Sequence, residues 1–253
     1  MDYEPAKLKL GYFLPGSHGD LVFCIHGFGG TPAEHYLTAC ALNKAGYAVS
    51  VPLLKGHGTT IEDLDHSHWK EWVATVEGEY AKLKGDYHAV YFCGLSMGGL
   101  LTLYMAEHHP EIKAISLMAP ALIYKAKSTY LAPLILPFKR HLPYGDSFPH
   151  LPDEYRPLLQ EGYAMSSVPA AVEMSKLQRM VKHHLKQIEQ PLIIFQSEAD
   201  TLVDPKTEDY VLSHVSSKDK VGVRFQSTCH VMSIDTDREE IFAKTIEFFG
   251  KHR

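Results

Sequence analysis

Ala89-Val90-Tyr91-Phe92-Cys93-Gly94-Leu95-Ser96-Met97-Gly98-Gly99 packs a strand, a sharp turn and the start of a helix into one short stretch. The run Ala89–Leu95 is continuously apolar, as strands covered on both faces are. From Met97 to His109 the pattern becomes helical, and Pro110 stops it. At the junction stands Gly94-Leu95-Ser96-Met97-Gly98, a G-x-S-x-G turn between strand and helix. A serine held there occupies a strained backbone, and Gly94 and Gly98 let the neighbouring chain pass without a clash. Its hydroxyl projects beyond the strand end, at the positive N-terminus of the helix. Ser96 is the expected nucleophile.

Similar apolar runs lie on both sides: Leu21–His26, Ala48–Leu53, Ile112–Met118, Leu192–Gln196 and Val221–Gln226. Helical patterns alternate with them, which predicts an α/β fold with a mostly parallel sheet flanked by helices. Thr31-Pro32-Ala33-Glu34 reads as a capping box with proline at the first helical position, and Gly46 closes that helix. A second helix is expected from Thr60 past Trp69 and Trp72, both core residues, to about Gly85. Thr236-Asp237-Arg238-Glu239 reads as the capping box of a C-terminal helix. The alternation fails between about Ala121 and Ile188, which hold seven of the 15 prolines and many large apolar residues. Such a stretch inside a compact domain reads as a lid. The expected organisation is a core of residues 1–119 and 189–253 interrupted by a helical cap, 120–188.

A serine nucleophile needs a base, and the base needs an orienting carboxylate. His230 follows the last strand, whereas His214 falls in a helix and His252 in the tail, so His230 is the expected base. After Leu192–Gln196 come Asp200 and Asp204. Asp204 precedes Pro205 and is explained as a helix cap, which leaves Asp200 as the expected acid. Two backbone donors must hold the oxyanion: the N–H of Met97 and that of Phe28, in the loop His26-Gly27-Phe28-Gly29-Gly30. His26, at the end of a buried strand, is expected to bind that loop and not to catalyse. Because hydrolysis needs neutral His230, kcat/KM should fall below an apparent pKa near or under about 6.5.

Composition excludes several other roles. The chain has 253 residues and a net charge of −5, without the basic stripe of a nucleic-acid binder. Its longest greasy run, Tyr130–Phe138, is broken by Pro133 and Pro137, far short of the roughly 18 apolar residues of an integral membrane segment. The N-terminus lacks a basic-then-apolar secretory signal, and the four cysteines form no CxxC, so a reducing cytoplasm is expected. Histidines at His66/His68, His108/His109 and His183/His184 lack zinc spacing, so no metal site is expected.

At these residues the chain resembles the α/β-hydrolase superfamily, and within it bacterial carboxylesterases and monoacylglycerol lipases. The likeness rests on His26-Gly27-Phe28-Gly29-Gly30-Thr31, on Pro52-Leu53-Leu54-Lys55-Gly56-His57-Gly58-Thr59-Thr60, on Gly94–Gly99, and on the 30-residue step from Asp200 to His230. Cys229 stands where such relatives commonly have glycine, which places a thiol beside the base. The resemblance implies a cofactor-free serine hydrolase of short- to medium-chain monoesters, monoacylglycerols included, working as a monomer or weak homodimer. A thioesterase or acyltransferase with the same triad, or a small-molecule receptor on this fold, is the alternative. Part of the apolar cap surface, which includes Ile123, Leu131, Leu134, Ile135, Leu136 and Phe138, is expected to line an acyl pocket above Ser96.

Overall fold

The computed structural model describes residues 5–143, 153–160 and 163–253. Seven strands form one sheet: β1 (Tyr12–Leu14), β2 (Asp20–Ile25), β3 (Ala48–Val51), β4 (Ala89–Leu95), β5 (Ala114–Met118), β8 (Leu192–Ser197) and β9 (Lys220–Phe225). Their spatial order is β1-β3-β2-β4-β5-β8-β9, and every pairing is parallel except that of β1 with β3. The six expected strands are all present, within two residues at each end. The exposed antiparallel β1 was not anticipated, because three residues carry too little pattern to read.

Continuous apolar character follows from burial on both faces. Every residue of β2, β4, β5 and β8 is buried. Alternate side chains divide the core. Leu21, Phe23 and Ile25 point to one layer with Trp72, Val76 and Leu100, from the helices Trp69–Leu83 and Met97–His108. Val22 and Cys24 point to the other, with Leu37 and Leu42 of Tyr36–Lys44 and Ile241 and Phe249 of Arg238–Lys251. The edge strand β9 carries Lys220 and Arg224, and Arg224 pairs with Glu198, Glu208 and Asp209. Charges of this kind discourage a second sheet from adding there.

Three helix starts depart from expectation. The C-terminal helix, expected to open on a Thr236 capping box, begins at Arg238 after Asp237 with no side-chain cap. The helix expected from Thr60 to Gly85 is two, Ile61–Asp65 and Trp69–Leu83, with the Thr60 hydroxyl capping the first. Thr31 makes no side-chain cap; Pro32–His35 is a 3₁₀ turn leading into Tyr36–Lys44, and Glu34 faces elsewhere.

Between β5 and β8 no described residue joins the large sheet. This stretch contains the short helices Ala132–Ile135 and Arg156–Gln160, the long helix Val168–His184, and an antiparallel hairpin of β6 (His141–Pro143) and β7 (Met165–Ser167). This segment is not purely helical. Its hairpin closes over distant residues, a pairing that local periodicity does not announce. Asp65 clasps it to the core by accepting hydrogen bonds from Ser167 Oγ (2.6 Å), His141 Nε2 (3.0 Å) and Arg140 Nε (3.2 Å).

Candidate active site

In a parallel sheet the carboxyl ends of the strands share one rim, where ligands bind. Ser96 stands there, directly after β4. Its backbone is left-handed, at φ 54° and ψ −112°, and its N–H donates to the Met118 carbonyl at 2.9 Å, fixing the turn against β5. The flanking glycines are sterically required. A Cβ on Gly98 would stand 1.9 Å from the Ile25 carbonyl oxygen, and one on Gly94 would stand 2.3 Å from that of Gly98. Both obstacles are backbone, which cannot swing aside.

The loop after β8 carries Asp200 and the loop after β9 carries His230, both buried. Asp200 Oδ2 lies 2.8 Å from His230 Nδ1. Its Oδ1 accepts from the Leu202 and Val203 N–H groups at 2.8 and 2.9 Å. These bonds hold the carboxylate independently of the imidazole. Asp204 is engaged locally instead, accepting from the Lys206 N–H at 3.0 Å as the helix Lys206–His214 begins. Burial disfavours charge on both partners, but their attraction prevails. It holds the Asp200 carboxyl below its ordinary range and raises the His230 imidazole above 6.5. The expectation of an imidazole pKa at or under that value is corrected by this pairing.

His230 and Ser96 line one cavity of about 860 Å³, within the range of small-molecule sites. The Phe28 and Met97 N–H groups have no acceptor among the described residues. Behind the loop, His26 is buried, donates from Nδ1 to the Gly27 carbonyl (2.9 Å) and accepts the Leu54 N–H at Nε2 (3.2 Å). Burial and then neighbouring His57 hold it neutral. Cys229 is buried, its thiol pushed up by burial and by Asp235, which makes it a poor nucleophile.

Of the six apolar residues named for the part of the cap surface expected to line the pocket, Ile135 lines the cavity and the other five do not. Leu131, Leu134 and Phe138 are 49%, 69% and 86% exposed. The helix Ala132–Ile135 turns its i and i+3 residues inward, and both line the cavity; the intervening positions therefore face out. Leu142, Leu159, Val168 and Met174 complete the wall. Tyr163, which sequence did not single out, ties the segment between β5 and β8 to two core loops. Its hydroxyl donates to the Gly56 carbonyl at 2.5 Å and its N–H to that of Gly29 at 3.1 Å.

A family model described as serine aminopeptidase, S33, matches residues 16–152, more than half of the chain. A thermostable monoacylglycerol lipase of Bacillus sp. (strain H-257) is 37% identical over 233 residues, 91% of this chain and 90% of that protein. The chain belongs to the α/β-hydrolase superfamily. It is of the bacterial carboxylesterase and monoacylglycerol lipase type, a serine ester hydrolase. A carboxylesterase of Bacillus subtilis (strain 168) is 25% identical over 231 residues, 91% of this chain and 92% of that one. A solved structure reported for the metagenome-derived lipolytic enzymes LipS and LipT superposes with a TM-score of 0.88 at 26% identity, covering 97% of this chain and 98% of that one. Among the described residues, no helix is long and apolar enough to cross a membrane.

Among the described residues one cluster of metal-binding residue types occurs, in the core and not at the rim. Cys24 and Cys93 are register partners on β2 and β4, and with His35 they bring one ligand atom each within 4.8 Å. Burial holds the Cys24 proton in place, and a metal would have to displace it.

Proposed function

We propose that Ser96, His230 and Asp200 hydrolyse a carboxylic monoester through an acyl-enzyme. The supporting observation is the His230–Asp200 pair at 2.8 Å, lining one cavity with a serine on a left-handed elbow. With Nδ1 engaged by Asp200, Nε2 is the imidazole nitrogen left to exchange protons. Ser96 Oγ attacks the carbonyl as His230 takes its proton. The Phe28 and Met97 amides receive the oxyanion, and His230 returns the proton to the leaving alcohol. A water, deprotonated by the same nitrogen, then attacks the acyl-enzyme and releases the acid and free Ser96.

Residues 120–188 act in this reading as the cap, enclosing one acyl chain. The apolar wall of the cavity and the likeness to a monoacylglycerol lipase support short- to medium-chain monoesters, monoacylglycerols included. Each methylene buried is worth up to about 0.8 kcal/mol, or roughly fourfold in kcat/KM. The four cysteines are free, which supports a reducing, cytoplasmic setting, and a monomer or weak homodimer suffices because one chain holds every group named. Fluorophosphonate labelling of wild type and Ser96→Ala tests the nucleophile, and acetyl, butyryl, octanoyl and palmitoyl p-nitrophenyl esters test the pocket. Labelling that survives in Ser96→Ala overturns the assignment; a monotonic fall from acetyl onward, or brisk triolein hydrolysis, overturns the enclosed acyl site.

A further inference from the structure

Glu34 is the single carboxylate among the described residues lining the cavity, and the mechanism above leaves it idle. Its placement is specific. Oε2 accepts the N–H of Gly27 at 3.2 Å, across seven residues, at the root of the loop that carries Phe28. Oε1 occupies the space beside Gly30: a Cβ there would stand 2.0 Å from it, so residue 30 must be glycine while Glu34 holds this position. A Cβ on Gly27 would lie 3.5 Å from Glu34 Oε2 and 3.6 Å from Ser96 Cβ. Carboxylate and nucleophile thus flank the same side of Gly27.

We propose that Glu34 is a positioning residue for hydrolysis: it braces the oxyanion loop against Ser96 through Gly27 and sets a second negative charge on the cavity that the His230 imidazole lines. The inference rests on the proposed triad. Asp200 orients the ring from Nδ1, whereas Glu34 acts from the cavity side and bonds the loop, not the ring. In acylation and in deacylation the imidazole becomes positive, and a nearby carboxylate favours that state.

The groups facing Glu34 give this charge a pH dependence. His230, bonded to Asp200 through Nδ1, lines the same cavity as Glu34, as do Arg156, Tyr124 and Tyr163. Burial holds neighbouring His35 down to about 4, so it stays neutral. Burial pushes Glu34 itself up to about 7, against the opposing pull of the Gly27 N–H and of His230. Glu34 and His230 therefore titrate over overlapping ranges as a coupled pair.

Glu34→Gln separates the two roles, because the amide oxygen still accepts from Gly27 but carries no charge. Steady-state kinetics on a p-nitrophenyl ester and the rate of fluorophosphonate labelling would both be measured against pH. In Glu34→Gln the acid limb should move to lower pH and sharpen to a single ionisation. Its kcat should drop roughly three- to tenfold, with KM nearly unchanged, as expected for a charge interaction worth up to about one pKa unit. Glu34→Ala should lose further kcat by releasing the loop, and Glu34→Gln should restore that part. A Glu34→Gln profile superimposable on wild type, in limb and in kcat, overturns the proposal. Failure of the wild type to label at Ser96 would instead remove the triad reading on which it stands.

Discussion

Replacing Asp200 by Asn tests the link between geometry and chemistry most directly. The Asn carbonyl can keep the 2.8 and 2.9 Å bonds to the Leu202 and Val203 N–H groups that Asp200 Oδ1 accepts. The amide NH₂ then takes the place of Oδ2, 2.8 Å from His230 Nδ1. Because that group only donates, Nδ1 must accept, and the ring proton moves to Nε2. An imidazole protonated at Nε2 cannot take the Ser96 proton, and no adjacent carboxylate remains to stabilise the imidazolium. The loss should be about 10³- to 10⁴-fold in kcat, or about 4 to 5 kcal/mol of barrier. Stability should suffer far less. One charge-assisted hydrogen bond contributes about 1.5–3 kcal/mol, which for a chain of this size is roughly 3–10 °C in Tm. The assay is burst and steady-state hydrolysis of p-nitrophenyl butyrate by Asp200→Asn, with Asp204→Asn as control. An Asp200→Asn enzyme within tenfold of wild type, or an inactive but folded Asp204→Asn, would refute the reasoning.

Four further outcomes are expected. Because pairing raises the His230 imidazole above 6.5 and the base must be neutral, the acid limb of kcat/KM should centre above 6.5; a centre below it contradicts the pairing. By linkage, the raised His230 contributes its stability in full below 6.5 while Asp200 stays ionised, and loses it as pH rises through the folded value, so the Tm gap between wild type and His230→Ala should narrow across the same limb. Gly98→Ala places a Cβ 1.9 Å from the Ile25 carbonyl and should cost about 4 kcal/mol or more, giving an insoluble or strongly destabilised protein; a wild-type Tm would show that the elbow yields. Asp65→Ala removes the acceptor shared by Ser167, His141 and Arg140, and because Arg140 is exposed the loss should be about 2 kcal/mol, read as faster proteolysis between 120 and 188 and a lower Tm.

Much of this protein was legible in the chain because the signals are local. A buried parallel strand must be apolar throughout, so Ala89–Leu95 and its counterparts announced themselves and, with the helices between them, the layer architecture. The elbow was equally plain, since its glycines are imposed by a turn of a few residues. His230 and Asp200 could be named because each follows a strand that must end at the same rim. Tertiary structure decided what depends on the company of distant segments. Thr31 to Glu34 has the local pattern of a capping box, yet Glu34 is drawn to the Gly27 amide that the β2 loop folds over it. Which apolar residues between β5 and β8 face the cavity was fixed by the orientation of one short helix, and hydrophobicity alone cannot distinguish Ile135 from Leu134. Asp65 looks like any helix-end acid until the hairpin of β6 and β7 brings Ser167, His141 and Arg140 to it. Proton affinities belong to the same class: the sign of the His230 shift follows from a 2.8 Å contact between loops 30 residues apart, and burial without that contact would have moved it the other way.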